Sequence, residues 1–333
     1  MNSLGLSIIF NMGCICSRET IMINSRKYYV REHLGEGGFS TVDLVEDAHN
    51  HKSYAVKKII CHGEEDQKVA MKEVEYHGIL KHPNIIECFD SALKDRPNPI
   101  LNSTSEVMIV LPYFERGTLA HELERRRVRR DHMNASEILN MFLHICEGVK
   151  AFHEANPEPL AHRDLKTANI LLSDDRSPII MDLGSVAVAR VKICGSSEAQ
   201  QLQDLASERC SMPYRAPELF SVESYCMIDE RTDIWSLGCI LFAMCYFKSP
   251  FDAVYERGDS VALAVISGNI TFPESSPYDP EIHELILYML KVNPMERPYI
   301  YSVIEKTHDI ISEIEGGQWK MFPIVESSCE HIE

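Results

Sequence analysis

Asp164, Lys166 and Asn169 sit together in His162-Arg163-Asp164-Leu165-Lys166-Thr167-Ala168-Asn169-Ile170-Leu171-Leu172, and Asp182 follows the apolar run Ile179-Ile180-Met181. Phosphoryl transfer needs a carboxylate near the attacking hydroxyl, a cation on the transferring phosphate and oxygen ligands for Mg²⁺. Asp164, Lys166, Asn169 and Asp182 supply those parts in that order. A loop of turns and caps would explain one carboxylate but not the set.

Two upstream segments fit the same chemistry. In Gly35-Glu36-Gly37-Gly38-Phe39-Ser40-Thr41-Val42, between two strand-like runs, the glycines allow backbone amides to approach phosphates closely. Alone, this reads equally as an ordinary glycine hairpin. Tyr54-Ala55-Val56-Lys57 puts one lysine at the end of an apolar strand, where a fixed charge could meet phosphates. Such a lysine needs an anionic partner, and Glu73 in the next helix is the candidate. Glu75 would point to a different helix face.

Strands and helices must hold these residues in place. Tyr28 to Gly35, Thr41 to Glu46, Ser53 to Ile60 and Val107 to Leu111 are short, β-branched or aromatic runs, which predict a small sheet. Glu64 to Lys81 predicts one amphipathic helix ending at His82-Pro83, and Asp95 to Ser105 an exposed loop. Beyond Glu115 the pattern turns helical. Ile138, Leu139, Phe142, Leu143, Cys146, Val149 and Phe152 recur at helical spacing, and Ile234 to Phe247, apolar on nearly every face, predicts a buried helix. A strand-rich start and a helical remainder imply an α+β chain of two lobes with a ligand cleft between them.

Composition narrows the classes. At 333 residues and 45% hydrophobic, the chain can bury a substantial core. Its 33 Lys+Arg against 50 Asp+Glu, a net charge of −17, argue against a nucleic-acid partner. Eleven cysteines without CxxC pairs suggest a reducing compartment. No apolar run approaches the roughly 20 residues that span a bilayer, and Met1 to Phe10 lacks the charged start of a secretory signal.

The series GEGGFSTV, YAVK, HRDLKTAN, MDLG and APEL, with DIWSLG and NPMERP further on, resembles the eukaryotic protein-kinase superfamily over about residues 27 to 312. GEGGFS, the LGS after Met181-Asp182, SERCSMPYRAPELFS and DERTDIWSLGC resemble its numb-associated kinase family, in particular a myristoylated and palmitoylated Golgi member. The resemblance implies a two-lobed protein kinase fold, with a small antiparallel sheet and one helix first and a larger helical lobe second. It implies an N-lobe at 27–111, a hinge at 112–114, a C-lobe at 115–312, a leader at 1–26 and a short tail at 313–333. The implied activity is transfer of the ATP γ-phosphate, with Mg²⁺ or alternatively Mn²⁺, to Ser or Thr, and also Tyr, of protein substrates, the chain itself among them.

By the same resemblance Asp164 orients and deprotonates the substrate hydroxyl, Lys166 meets the γ-phosphate, and Asn169 and Asp182 hold the metal. Lys57 and Glu73 position the other phosphates. Leu34, Gly35, Glu36, Gly37, Gly38, Phe39, Ser40, Val42 and Ala55 would enclose the nucleotide, with the Pro112-Tyr113-Phe114 connection bonding adenine and Leu111 guarding the pocket behind it. Ser211 steadies Asp164, Glu218 pairs with Arg297, Asp233 is structural, and Arg163 could receive a phosphate placed on Ser196, Ser197, Ser207 or Ser211. Gln200 to Arg209 suits an extra helix in the activation segment. Ser40 replaces a glycine, Leu183 the usual Phe and Thr167 a common proline. A kinase-shaped scaffold without chemistry would have lost one of Lys57, Asp164, Asn169 or Asp182, and none is lost. A small-molecule phosphotransferase would not need Ala216 to Glu218.

Met12-Gly13-Cys14-Ile15-Cys16-Ser17 fits a myristoylation pattern at Gly13, with Cys14 and Cys16 placed for palmitate. It works only if translation starts at Met12. One myristoyl chain holds a protein marginally, so palmitate would be the second signal. The expected place is the cytoplasmic face of Golgi and perinuclear membranes, or the cytosol without the acyl chains. Arg125-Arg126-Arg127-Val128-Arg129-Arg130 reads as a solvated helix end.

Overall fold

The apolar alternation in Tyr54-Ala55-Val56-Lys57 becomes the centre of an antiparallel sheet whose two faces do different work. The computed structural model describes residues 19–38, 40–98 and 103–319. The chain divides into two compact units, 1–64 with 89–113 and 65–88 with 114–333.

The first unit is a six-stranded sheet in the order β1-β2-β3-β4-β6-β5, built from β1 (Thr20–Ile23), β2 (Arg26–Glu36), β3 (Ser40–Asp47), β4 (Ser53–Cys61), β5 (Asp90–Asn98) and β6 (Ser103–Pro112). One face buries Tyr28, Val45, Tyr54, Val56, Met108 and Val110 with Ile21 and Ile23. Two sequence expectations change here. The expected leader ends at residue 26, yet Thr20–Ile23 pairs with Arg26–Tyr29 because Ile21 and Ile23 complete that apolar face. The expected loop from Asp95 to Ser105 is strand over its described residues, since ladder bonds between β5 and β6 override its polar composition. Pro97 falls in the register shift between Asp95 and Asn98, where a missing amide costs least.

In the second unit, α1 (Glu64–Ile79) comes first. The resemblance implies that this helix belongs to the first lobe; residues 65–88 group with the second unit. The segment after α1 is stitched there by Ile86 N to Ile180 O at 2.9 Å, Ile180 N to Asn84 O at 2.8 Å and Asn84 Nδ2 to Pro178 O at 2.8 Å. Then come α2 (Leu119–Arg129), α3 (Ala135–His153), β7 (Leu160–Ala161), β8 (Ile170–Leu172), β9 (Pro178–Ile180), β10 (Ala187–Val188), β11 (Val191–Cys194), α4 (Ser196–Arg209), β12 (Tyr225–Ile228), α5 (Arg231–Tyr246), α6 (Asp252–Glu256), α7 (Val261–Ser267), α8 (Pro280–Met289) and α9 (Ile300–Trp319). The last helix runs past the expected boundary at 312. The basic run forms the end of α2 and its C-cap; Arg126 is buried while its neighbours in the run are exposed, Arg125 and Arg126 pair with Glu122, and Arg127 pairs with Glu124.

The core lies around α3 and α5. Every residue from Arg231 to Cys245 is buried, as the all-round apolar pattern of α5 requires. Gly238 lets α5 meet the end of α8: a Cβ there would stand 2.7 Å from Leu290 Cδ2 and 3.1 Å from Met289 Cβ. Gly238→Ala is therefore expected to cost about 1–3 kcal/mol through overpacking, read as a fall in urea midpoint. An unchanged midpoint would refute the close contact.

Candidate active site

In the first unit, register aligns on one face several of the residues that the sequence assigns to the nucleotide. Val42 pairs with Gly35 and Lys57, Lys57 with Ile109, and Ala55 with Leu111. Directly opposed residues share a face in antiparallel sheets. So Gly35, Val42, Ala55, Lys57 and Leu111 lie on the face opposite the buried cluster. Gly37 N bonds Ser40 O and closes the β2–β3 turn. Among the described residues a Cβ on Gly35 or Gly38 would meet nothing within 4 Å, and neither glycine has positive φ. Glycine at these positions keeps the backbone open to close approach. Leu34 and Glu36 stand on β2, Pro112 ends β6, and Tyr113 closes this unit.

In the second unit, the loop between β7 and β8 holds Asp164 with three donors. Ser211 N bonds Oδ1 at 2.7 Å, while Lys166 Nζ at 2.9 Å and Asn169 Nδ2 at 3.0 Å bond Oδ2. A carboxylate offers about four acceptor directions, so one is left for a substrate hydroxyl. Lys166 Nζ also donates to Ser211 Oγ at 2.6 Å, which keeps one of its three N–H groups for another anion. Asn169 Nδ2 reaches Asp164 O as well, at 2.9 Å.

His162 links this loop to Asp182. Its Nδ1 accepts from Asp164 N at 3.3 Å, so Nε2 carries the proton and donates to Met181 O at 3.0 Å. Met181 N in turn donates to Asn169 O at 2.9 Å. Asp182 follows with a left-handed backbone, φ 63°, as has Arg163 with φ 67°. Two non-glycine residues in this sparsely populated region flank the candidate chemistry, where such strain concentrates. Leu183, in place of the usual Phe, is buried in the main core.

Asp233, fully buried at the start of α5, anchors the loop from behind. Its Oδ2 accepts His162 N at 2.8 Å and faces His153 Nε2 at 3.1 Å, and its Oδ1 accepts Arg163 N at 2.9 Å. Burial opposes its ionisation, but the hydrogen bonds from His153 and from Arg163 N outweigh burial and hold its carboxyl below the usual range. Arg163 Nη2 donates to Ala189 O at 2.9 Å. Arg297 pairs in a fork with Glu218, at 2.8 and 3.0 Å, and also bonds the Arg231 and Lys291 carbonyls. The extra activation-segment helix is α4, which begins four residues earlier than its composition suggests.

Glu73 is a buried residue of α1, in the second unit, as is Phe114, whereas Lys57 belongs to the first. Gly13, Cys14, Cys16 and Phe39 lie outside the described residues. Sequence reasoning singles out Asp233 but misses His153, a lone histidine ending an apolar helix, which gives no local signal. It gives His162 no role, because the use of both ring nitrogens depends on β9 lying alongside.

The residues also fit a divalent cation. With its nitrogen committed to Asp164, Asn169 has its amide oxygen left to ligate, and Asp182 adds a carboxylate; these are hard oxygen donors of the kind Mg²⁺ takes. Among the described residues no cluster of three or more His, Cys, Asp or Glu could hold a metal alone.

The chain matches the protein kinase domain family over residues 28–308. It is 45% identical over 287 residues to "Serine/threonine-protein kinase 16" of Rattus norvegicus and 44% identical to that of Homo sapiens, covering 86% of this chain and 91% of each relative. It is 31% identical over 319 residues to "Serine/threonine-protein kinase ppk13" of Schizosaccharomyces pombe, covering 86% of this chain and 92% of that one. Numb-associated kinase placement agrees with these identities. A protein kinase uses ATP and a divalent metal and acts on protein. With sheet, helical lobe, loop and relatives in accord, this chain belongs to the protein kinase family, as a serine/threonine protein kinase of two-lobed fold.

Proposed function

We propose that this kinase transfers the γ-phosphate of Mg-ATP to serine and threonine, and also to tyrosine, on proteins at the cytoplasmic face of Golgi and perinuclear membranes. The observation that carries the chemistry is the three-donor cradle of Asp164. It holds the carboxylate ready to accept the substrate hydroxyl's proton through its remaining acceptor direction. Lys166 turns its spare N–H toward the transferring phosphate. Lys57 and the amides of Gly35, Gly37 and Gly38 hold the other phosphates. Asn169 and Asp182 would hold Mg²⁺, which neutralises charge on the phosphates. Manganese is the alternative metal, and self-phosphorylation within Asp182 to Glu218 is a further outcome of the same activity.

Purified residues 12–333 with Mg-ATP and a mixed Ser/Thr/Tyr peptide library are expected to give phosphopeptides, and Asp182→Asn is expected to abolish them. Mg-ATP binding without transfer would instead support a scaffold.

The membrane reading rests on Met12 to Ser17 and on the resemblance to acylated kinases. Among the described residues no helix is long and apolar enough to cross a membrane. When the chain is expressed from Met12, Gly13→Ala is expected to move most of it from the membrane pellet to the soluble fraction. An unmodified Met1 peptide from native cells would overturn the acylation.

A further inference from the structure

A cavity of about 490 Å³ lies between α4 and the segment from Ser185 to Ile193, wholly within the second unit. Its volume falls in the range of small-molecule sites. Its walls are mostly aliphatic, with Val186, Val188, Ile193, Leu202, Leu205 and Leu219 supplying the apolar surface.

Its lining includes Arg163, which is 9% exposed and carries two buried nitrogens, Nε and Nη1, that meet no hydrogen-bond acceptor among the described residues. The third, Nη2, is held by Ala189 O. A buried charged donor left without an acceptor is costly and calls for an explanation. Lys192 and Arg209 add positive charge to the wall. Glu198 is the one carboxylate among the lining residues, and it is turned toward Cys194 N at 2.7 Å.

We infer that this cavity binds a small amphipathic anion, a carboxylate head on an unbranched aliphatic body, with the head on Arg163 and the body along Leu202 and Ile193. A phosphate on the chain itself is a poorer match for the shape: Ser196, Ser197, Ser207 and Ser211 do not line the cavity. The lining hydroxyl, Ser185, is spent on Arg209 O. The place also matters for the kinase. Helix α4 leads directly into Ser211, whose amide fixes Asp164, so a ligand bracing α4 acts on the catalytic loop.

The test is calorimetric titration of the full chain with decanoate below its micelle concentration, with 1-decanol and inorganic phosphate as probes of body and head alone. The expected result is one saturable decanoate site, with decanol and phosphate each at least tenfold weaker. Arg163→Met and Leu202→Trp are each expected to weaken decanoate at least tenfold, with circular dichroism showing that they fold. If Arg163→Met fails to fold, Leu202→Trp decides. No saturable binding, or binding indifferent to Leu202→Trp, overturns the inference. Phosphate binding as tightly as decanoate overturns it in favour of a plain anion site. Because binding is read without phosphate transfer, failure here leaves the kinase activity standing.

Discussion

Asp164→Asn is expected to lower the turnover of peptide phosphorylation by about 10³-fold, within the range that a positioned proton acceptor contributes, while the melting temperature stays nearly unchanged. The amide oxygen can still accept from Ser211 N, so the loop keeps one tie. The new NH₂ group faces Lys166 Nζ and Asn169 Nδ2, both donors, so the Oδ2 side of the cradle is lost. With no carboxylate to take the hydroxyl proton, kcat falls rather than nucleotide affinity, since Lys57 and Asp182 are untouched and Asn169 keeps its bond to Asp164 O. Steady-state kinetics beside a nucleotide-binding titration separate the two. Near-normal kcat in the variant would remove Asp164 from its assigned role.

Asp233→Ala is expected to be the most damaging single change to the fold of the site. It strips acceptors from two backbone amides, His162 N and Arg163 N, and from His153, all buried. Removing one partner of a buried charged network costs about 3–5 kcal/mol, which for a domain of this size lowers Tm by on the order of 10 °C. Activity is expected to fall with it, because Arg163 N sits one residue before Asp164. The carboxyl of Asp233 is held below its usual value, so its contribution is complete above the unfolded pKa of about 3.9 and is lost as pH falls through the lower folded value. The stability gap between the natural chain and Asp233→Asn should therefore hold from neutral pH to about pH 4 and narrow below it. A gap that instead widens in acid, or a Tm unmoved in Asp233→Ala, would refute this account.

What the sequence alone determined was the class of chemistry, together with the candidates to carry it. Asp164, Lys166, Asn169 and Asp182 lie close in the chain, so spacing and residue type suffice to group them, and the glycine loop and the Lys57 strand follow from short-range pattern. The buried helix α5 was legible because an apolar run with no polar face has nowhere else to go. Polar composition misled over residues 95–98 and 103–105, where pairing between β5 and β6 decided the conformation, and Thr20–Ile23 was missed because so short a strand is stabilised only by the face it completes.

Tertiary structure decided everything that depends on residues far apart meeting. Asp233 serves the catalytic loop only because α5 begins behind it, 70 residues along the chain from Arg163. His162 acquires its two bonds only when β9 brings Met181 alongside. The same holds for the cavity at Arg163, which exists because α4 folds over the segment from Ser185 to Ile193. Local pattern encodes which groups are present. Long-range packing, in which apolar burial outweighs local preference, decides which of them touch.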